Sequence, residues 1–292
     1  VSSPDQLNWP SAPPVAGGAS PQPTAAMTAP GTSPQPFGSG LTTPDFAACL
    51  AMGLQPLRLV QGYFFGQISG WSAYSAYPLR QYPCACMETG PHSTGWLGKV
   101  SDLDSAWVTA HQTALERLLQ EAAAIGAHGV VGVRTEMSHP TSETSCEVHL
   151  YGTAVALAGA PAVERPWATQ LAGHKLAKLV EAGFVPGWLA YTRCTAMMAE
   201  GCYMEYYGSG GCGTGYQVQP VRDAHELARS EAIGAARQVA AGGAMYDVQM
   251  FVHESERYNA TYITCSLLGS VVRRVRQAMP LATPVATLNL GR

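Results

Sequence analysis

An α+β fold made of two tandem β-α-β-β units is predicted by three features of this 292-residue sequence. A strand opening with Gly, an apolar residue, a spacer and Pro occurs twice, in AMGLQPLRLVQGYF from Ala51 and EAGFVPGWLAYTRC from Glu181. A long helical pattern ending in Gly-Ala also occurs twice, as DSAWVTAHQTALERLLQEAAAIGA from Asp104 and DAHELARSEAIGAARQVAAGGA from Asp223. Each helix is followed by two strand-like runs, HGVVGVRTEM with CEVHLYGTAVAL and MYDVQMFVHE with ITCSLLGSVV. Self-similarity of this kind marks a duplicated supersecondary unit, and one helix over one face of a small antiparallel sheet gives a two-layer α+β unit.

The elements follow in order. Residues 1–40 hold nine of the 21 prolines and a single charge, Asp5, so they cannot pack a core and are expected to form an extended tail docked on a neighbouring subunit. The first unit spans 41–160, the second 161–280, and 281–292 form a C-terminal tail. A short helix, PDFAACLAMG, capped by Thr43 or Asp45, precedes the first strand. Its counterpart, ATQLAGHKLAKLVEAG, carries apolar Leu171, Leu176, Leu179 and Val180 and stops at Gly183. In the first long helix Leu115, Leu118, Leu119, Ala122 and Ile125 make one apolar face, while Asp104 and Asp223 stand where N-cap acceptors are wanted. Placing Gly152 on Gly269 sets Cys146, Val148 and Leu150 on Ile263, Cys265 and Leu267, and Glu147 and His149 on Thr264 and Ser266. The period-two alternation therefore has the same phase in both units. The outward sheet face then carries Arg134, Glu136, Glu147 and His149 in the first unit and Asp247, Gln249, His253, Thr264 and Ser266 in the second. Such a face must meet water or a partner. Three short strands per unit leave edges exposed, and joining sheets across units or subunits protects them.

Composition excludes several classes. With 47% hydrophobic residues, 13% charged residues and a net charge of -3, the chain is neither wholly disordered nor an electrostatic nucleic-acid binder. Only three of the 17 basic residues are Lys, and they form no phosphate-tracking patch. No run is apolar enough to span a bilayer, and the N-terminus has no charged-then-apolar leader pattern. The expectation is a cytoplasmic protein with mostly reduced thiols, bound to neither nucleic acid nor membrane.

The stretch ALERLLQEAAAIGAHGVVGVRTEM followed by EVHLYGTAVAL resembles the YbjQ family, named for heavy-metal binding. The resemblance rests on Gly126, Ala127, Val130, Val131, Gly132, Val133 and Arg134, then on Glu147, Tyr151, Gly152, Thr153, Ala154 and Val155. The second unit keeps Gly269 and Val272 but has Leu268 and Ser270 at the Tyr and Thr positions, as a diverged copy would. The resemblance implies a dodecin-like fold and ring assembly, since family members are similar to small homopentamers. His128 departs from the family pattern, as does the long insertion at residues 71–100.

Metal ligands are sought first among the cysteines. Cys84, Cys86 and His92 lie close in sequence, and Cys194, Cys202 and Cys212 occupy the matching region of the second unit. Thiolate and imidazole suit Zn or another soft ion such as Cu(I). No pair has CxxC spacing, and disulfides involving Cys84 or Cys86, or joining Cys202 to Cys212, are the alternative; packed free thiols are favoured overall. Arg134, Glu147 and His149 share a sheet face and offer ligand-binding or acid-base groups, but no nucleophile accompanies them, so an intersubunit polar layer is favoured. The run YMEYYGSGGCGTGY lacks the Lys of a phosphate loop. With Trp71, Tyr74, Tyr77, Tyr82 and Trp96 it reads as an aromatic contact surface. The three Arg of VVRRVRQAM read as a solvated strand end. The expected function is that of a non-enzymatic, self-assembling structural protein, ring-like or shell-like and pentamer-based. Sequestration of a metal ion or small molecule is the alternative.

Overall fold

The computed structural model describes residues 38–67, 97–138, 145–161, 163–199, 219–257 and 260–275. Within them the chain is α+β, with four helices and two sheets. The first half contains α1 (Thr43–Ala51), β1 (Leu54–Gln67), β2 (Leu97–Lys99), α2 (Ser101–Ala124), β3 (Gly129–Ser138) and β4 (Ser145–Leu157). The second contains β5 (Trp167–Ala168), α3 (Gly173–Glu181), β6 (Phe184–Ala199), α4 (Gln219–Val239), β7 (Ala244–Arg257) and β8 (Ala260–Arg274). One sheet has the order β1-β4-β3-β5 and the other β2-β6-β8-β7, so the three long antiparallel strands are arranged identically in both. The single parallel pairing is β5 on β3.

The repetition extends to irregularities. Pro56 and Pro186 each precede a register break where the first strand of the unit pairs with the last. β3 and β7 each carry a bulge opposite Gly152 and Gly269. In those bulges Gly132 and Asp247 take left-handed backbone angles, φ 65 and 55. Glycine accepts that conformation freely, whereas Asp is one of the few other residues that tolerate it. The helix crossing is also shared. A Cβ on Gly62 would stand 1.9 Å from the Ala114 carbonyl, and at the matching place in the second sheet Thr192 donates its hydroxyl to the Ala232 carbonyl at 3.1 Å. By these two contacts Ala110, Ala114, Leu118 and Ala122 of α2 are equivalent to Ala228, Ala232 and Ala236 of α4 and Ala240 just beyond it, all buried.

Several expectations need correction. The strands are long rather than short, 14 residues in β1 and 16 in β6, because the bulges bend them instead of ending them. Asp104 and Asp223 are not N-caps: α2 starts at Ser101 and α4 at Gln219, each placing its Asp inside the helix. Thr42, not Thr43 or Asp45, is the N-cap residue of α1. Asp45 instead accepts from the His174 amide at 3.1 Å, satisfying an orphan donor at the start of α3 in the other unit. Residues 167–171 precede α3 as an extended segment bonded along β3, with Trp167 N–H donating to His128 O at 3.1 Å, Thr169 N–H to Val130 O at 3.0 Å and Gly132 N–H to Leu171 O at 3.0 Å.

The two units stack in the layer order sheet, helix, sheet, helix. The α2 helix packs on the Cys146, Val148 and Leu150 face of the first sheet, and its opposite side meets Leu189, Tyr191, Tyr262 and Leu268 of the second. The α4 helix lies on the far face of that second sheet, over Cys194, Ala196, Ile263, Cys265 and Leu267. The inward thiols of Cys146 and Cys265 are thus core residues, as the alternation predicts. The outward face of the second unit does not meet water along β6 and β8: Thr264 and Ser266 are buried beneath α2.

Candidate functional site

The first sheet's outer face is a three-by-three array. Period-two geometry brings out Gln61, Tyr63 and Phe65 from β1, Glu147, His149 and Tyr151 from β4, and Arg134, Glu136 and Ser138 from β3. Register makes the rows Gln61-Tyr151-Arg134, Tyr63-His149-Glu136 and Phe65-Glu147-Ser138. Ser138 donates to Glu147 at 2.7 Å and Tyr151 to Glu136 at 2.8 Å, while the ring nitrogen Nε2 of His149 lies 3.3 Å from Gln61 Oε1. Tyr63 meets the His149 ring edge-on at a centroid distance of 6.1 Å. Its hydrogen bond to the Glu147 carboxylate raises the phenol above its ordinary range.

The structure thus sets Arg134, Glu147 and His149 on one face, but it does not converge them. Arg134 stands opposite Tyr151, two rows from Glu147. Sequence inspection missed the phenols of Tyr63 and Tyr151, although the alternation Gln61, Tyr63, Phe65 on β1 carries the signal. The face is exposed and presents Tyr63 and Phe65 at 44% and 49% accessibility. The phenols, carboxylates, imidazole and guanidinium of this array lie open on the sheet surface.

The matching face of the second sheet shows what covers such an array. Asp104 of α2 accepts from Thr195 N–H and Thr195 Oγ1, both at 2.7 Å, and from Arg193 Nε at 3.2 Å. Thr195 Oγ1 also lies 3.0 Å from Thr264 Oγ1. Burial pushes the Asp104 carboxyl upward against the lowering effect of these bonds and leaves it raised. The Arg193 guanidinium stands 5.2 Å over the Trp107 ring. His111, fully buried, stacks on Tyr191 at 4.8 Å, and its Nε2 has no hydrogen-bond partner among the described residues. Loss of hydration depresses its pKa to about 3, so the ring is neutral. Tyr191 in turn donates to Ser266 at 3.3 Å.

The described thiols do not fit a metal centre. Cys49, Cys146, Cys194 and Cys265 are all buried, and among the described residues no three His, Cys, Asp or Glu side chains converge. Burial pushes Cys49 up to about 11 and Cys194 up to about 12, away from the thiolate that a soft ion requires. Cys194 and Cys265 pair across β6 and β8, and no imidazole or carboxylate among the described residues completes a metal-ligand set with them. Cys84, Cys86 and His92 lie outside the described residues, as do Cys202, Cys212 and the aromatic residues of both insertions. No helix among the described residues is long and apolar enough to cross a membrane.

The YbjQ_1 family model, whose description reads "Putative heavy-metal-binding", matches residues 93–158. That stretch is a YbjQ-family domain and takes in β2, α2, β3 and β4 of the first unit. No curated protein and no solved structure matches the chain.

Proposed function

We propose that this protein is a self-assembling structural subunit, built from a YbjQ-type unit and a diverged copy of it, that closes into a homo-oligomeric ring. The observation that carries this reading is the layer order. Inside the chain, the outer side of α2 is buried on the outer face of the second sheet. The same two surfaces recur at the ends of the stack, where the first sheet's outer face and the outer side of α4 have no counterpart among the described residues. Exposed apolar and aromatic groups lie at one of those ends, Leu59, Tyr63 and Phe65 on β1, and along the edge strand of the second sheet, Tyr246, Val248, Met250, Phe251 and Val252 on β7. Such patches mark association surfaces.

Lateral stacking of units supports a ring of alternating units rather than two superposed layers. Whole chains closing this way supply an even number of units, so two chains give four and three give six, on either side of the family's five. Light scattering coupled to size exclusion tests the reading: a single species of two or more 30.8 kDa chains is expected, and a monomer at micromolar concentration overturns it. Deleting residues 1–40 is expected to loosen the assembly through loss of a tail docked on a neighbour.

A second reading, sequestration of a soft metal such as Zn, is favoured by the family match over residues 93–158. Its ligands would be Cys84, Cys86 and His92. Elemental analysis of the purified protein is expected to find stoichiometric metal if it holds, lost on changing Cys84 and Cys86 to Ser; metal-free protein overturns it. No catalytic step is assigned to either reading.

A further inference from the structure

We infer that the outer side of α4 in one copy docks on the first sheet's outer face in the next, with Arg222 placed against Glu147; this rests on the assembly reading above. The internal junction supplies the template. The crossing of α2 over Gly62 and of α4 at Thr192 aligns the helices so that Asp104, Trp107 and His111 correspond to Arg222, His225 and Arg229. The strand registers make Val60 opposite Gly152 equivalent to Ala190 opposite Gly269. By that alignment Tyr191, Arg193 and Thr195 of β6 correspond to Gln61, Tyr63 and Phe65 of β1, and Thr264 and Ser266 of β8 to Glu147 and His149 of β4.

Burial follows the alignment. Tyr191 and Thr195 are 7% and 1% accessible beneath α2, whereas their counterparts on β1 are exposed. The charges are complementary and reversed. At the internal junction the helix carries the carboxylate, Asp104, and the sheet carries the guanidinium, Arg193. At the proposed junction the helix carries Arg222 and Arg229 with Glu226 between them, all exposed, and the sheet carries Glu147 and Glu136 with Arg134 two rows from Glu147. Among the described residues Arg222 is paired with the solvent-exposed Glu226 one turn on, at 2.8 Å. Stacked on the next copy, the helix sets Arg222 over Phe65 and Tyr63, the counterparts of the Thr195 and Arg193 that Asp104 bonds, beside the Glu147 that pairs with Phe65, and the His225 ring over Tyr63, as Trp107 lies against Arg193.

The sheet edges support the same occupant. Along β3 the edge is closed by the extended segment 167–171. Along β7, the matching strand, no strand lies beyond the edge among the described residues. The first unit has its own version of that segment. Gly40 N–H donates to Thr153 Oγ1 at 3.1 Å, as Gln170 N–H donates to Ser270 Oγ at 3.0 Å. A second copy docked through α4 therefore brings its segment 38–41 to the β7 edge, adding a strand where β5 adds one to β3.

The test is a charge exchange read by light scattering at a series of concentrations. Arg222→Glu and Glu147→Arg are each expected to raise the concentration needed for assembly about ten-fold or more, and the double variant is expected to restore it. Unchanged mass in both single variants, with wild type oligomeric, overturns this interface and leaves the assembly reading standing. A monomeric wild type removes both. Glu147 also holds Ser138, so if circular dichroism shows that its variant is unfolded, Arg222→Glu and Arg229→Glu on the exposed side of α4 decide alone: wild-type mass in both overturns the interface, and dissociation supports it.

Discussion

His111→Phe isolates the acid sensitivity of the junction between the units. His111 sits in α2 with one sheet on either side, stacked on Tyr191, and its folded pKa of about 3 lies far below an ordinary imidazole near 6.5. Between those values the unfolded chain binds a proton that the folded chain refuses, so stability is full above pH 6.5 and declines as pH falls toward 3. The slope is about 1.4 kcal/mol per pH unit, reaching roughly 4–5 kcal/mol at pH 3 and about 3 kcal/mol at pH 4.5. Asp104 at the same junction acts in the opposite sense: its raised carboxyl takes up a proton in the folded state first, which favours folding at low pH. It titrates in both proteins and so drops out of their difference. Phe keeps a ring against Tyr191 and removes a buried nitrogen without a partner, so at pH 7 the variant is expected within about 1 kcal/mol of wild type. Urea unfolding at equal protomer concentration, followed by Trp fluorescence at pH 7 and pH 4.5, reads the effect. The variant's advantage is expected to grow by about 3 kcal/mol between the two conditions, and the same difference at both pH values refutes the reasoning.

Asp45→Asn removes a carboxylate that burial would raise but that bonds from Thr42 and His174 hold below its ordinary range. It is expected to cost about 1 kcal/mol in urea unfolding at pH 7, a difference that should fade as pH falls through the folded pKa of Asp45; a constant gap contradicts it. Gly62→Ala drives a methyl into the Ala114 carbonyl and is expected to cost about 1–3 kcal/mol, measured as a lower urea midpoint, whereas a silent substitution would mean the helix is free to retreat. Cys49 and Cys194 are expected to resist a thiol-directed reagent at pH 8 until urea is added, with peptide mapping as the readout; labelling in native protein would contradict their burial.

The duplicated unit was legible because two local signals agreed. Period-two alternation in CEVHLYGTAVAL and ITCSLLGSVV predicts which side chains face the helix, and placing Gly152 on Gly269 gives both runs the same phase; the inward residues of both strands are buried. What could not be read was the stacking of one unit on the other. Asp104 looks like a helix cap in sequence because an acid near a helix start usually is one. Its carboxylate is drawn instead to Thr195 and Arg193, far along the chain, and no local pattern encodes that distance. The same limit hid Arg222, which reads as one more solvated arginine until the fold aligns it with Asp104. Glu147, His149 and Tyr151 are visible on one strand, but the phenol of Tyr63 that completes their array comes from β1, far off in sequence.

Reversal of charge between the two junctions answers a problem that a duplicated protein faces. In the proposed ring, two similar helices and two similar sheet faces would permit the wrong helix to occupy either face, exchanging units between chains or ending the ring early. With Asp104 matched to Arg193 inside the chain, an incoming α4 that displaced α2 from the second sheet would set Arg222 near Arg193. An α2 helix offered to the first sheet of another copy would set Asp104 near Glu147. Both mismatches bring like charges into a face being cleared of water, where the penalty is several-fold larger than at an exposed surface. In the proposed assembly, the change from Asp104 to Arg222 at matching helix positions would fix the order of units. An Arg222→Asp variant, whose α4 resembles α2 in charge, is expected to compete for the second sheet and yield domain-exchanged or polydisperse species on size exclusion. A sharp wild-type profile for that variant would show that the fused connection between the units, and not charge, sets their order.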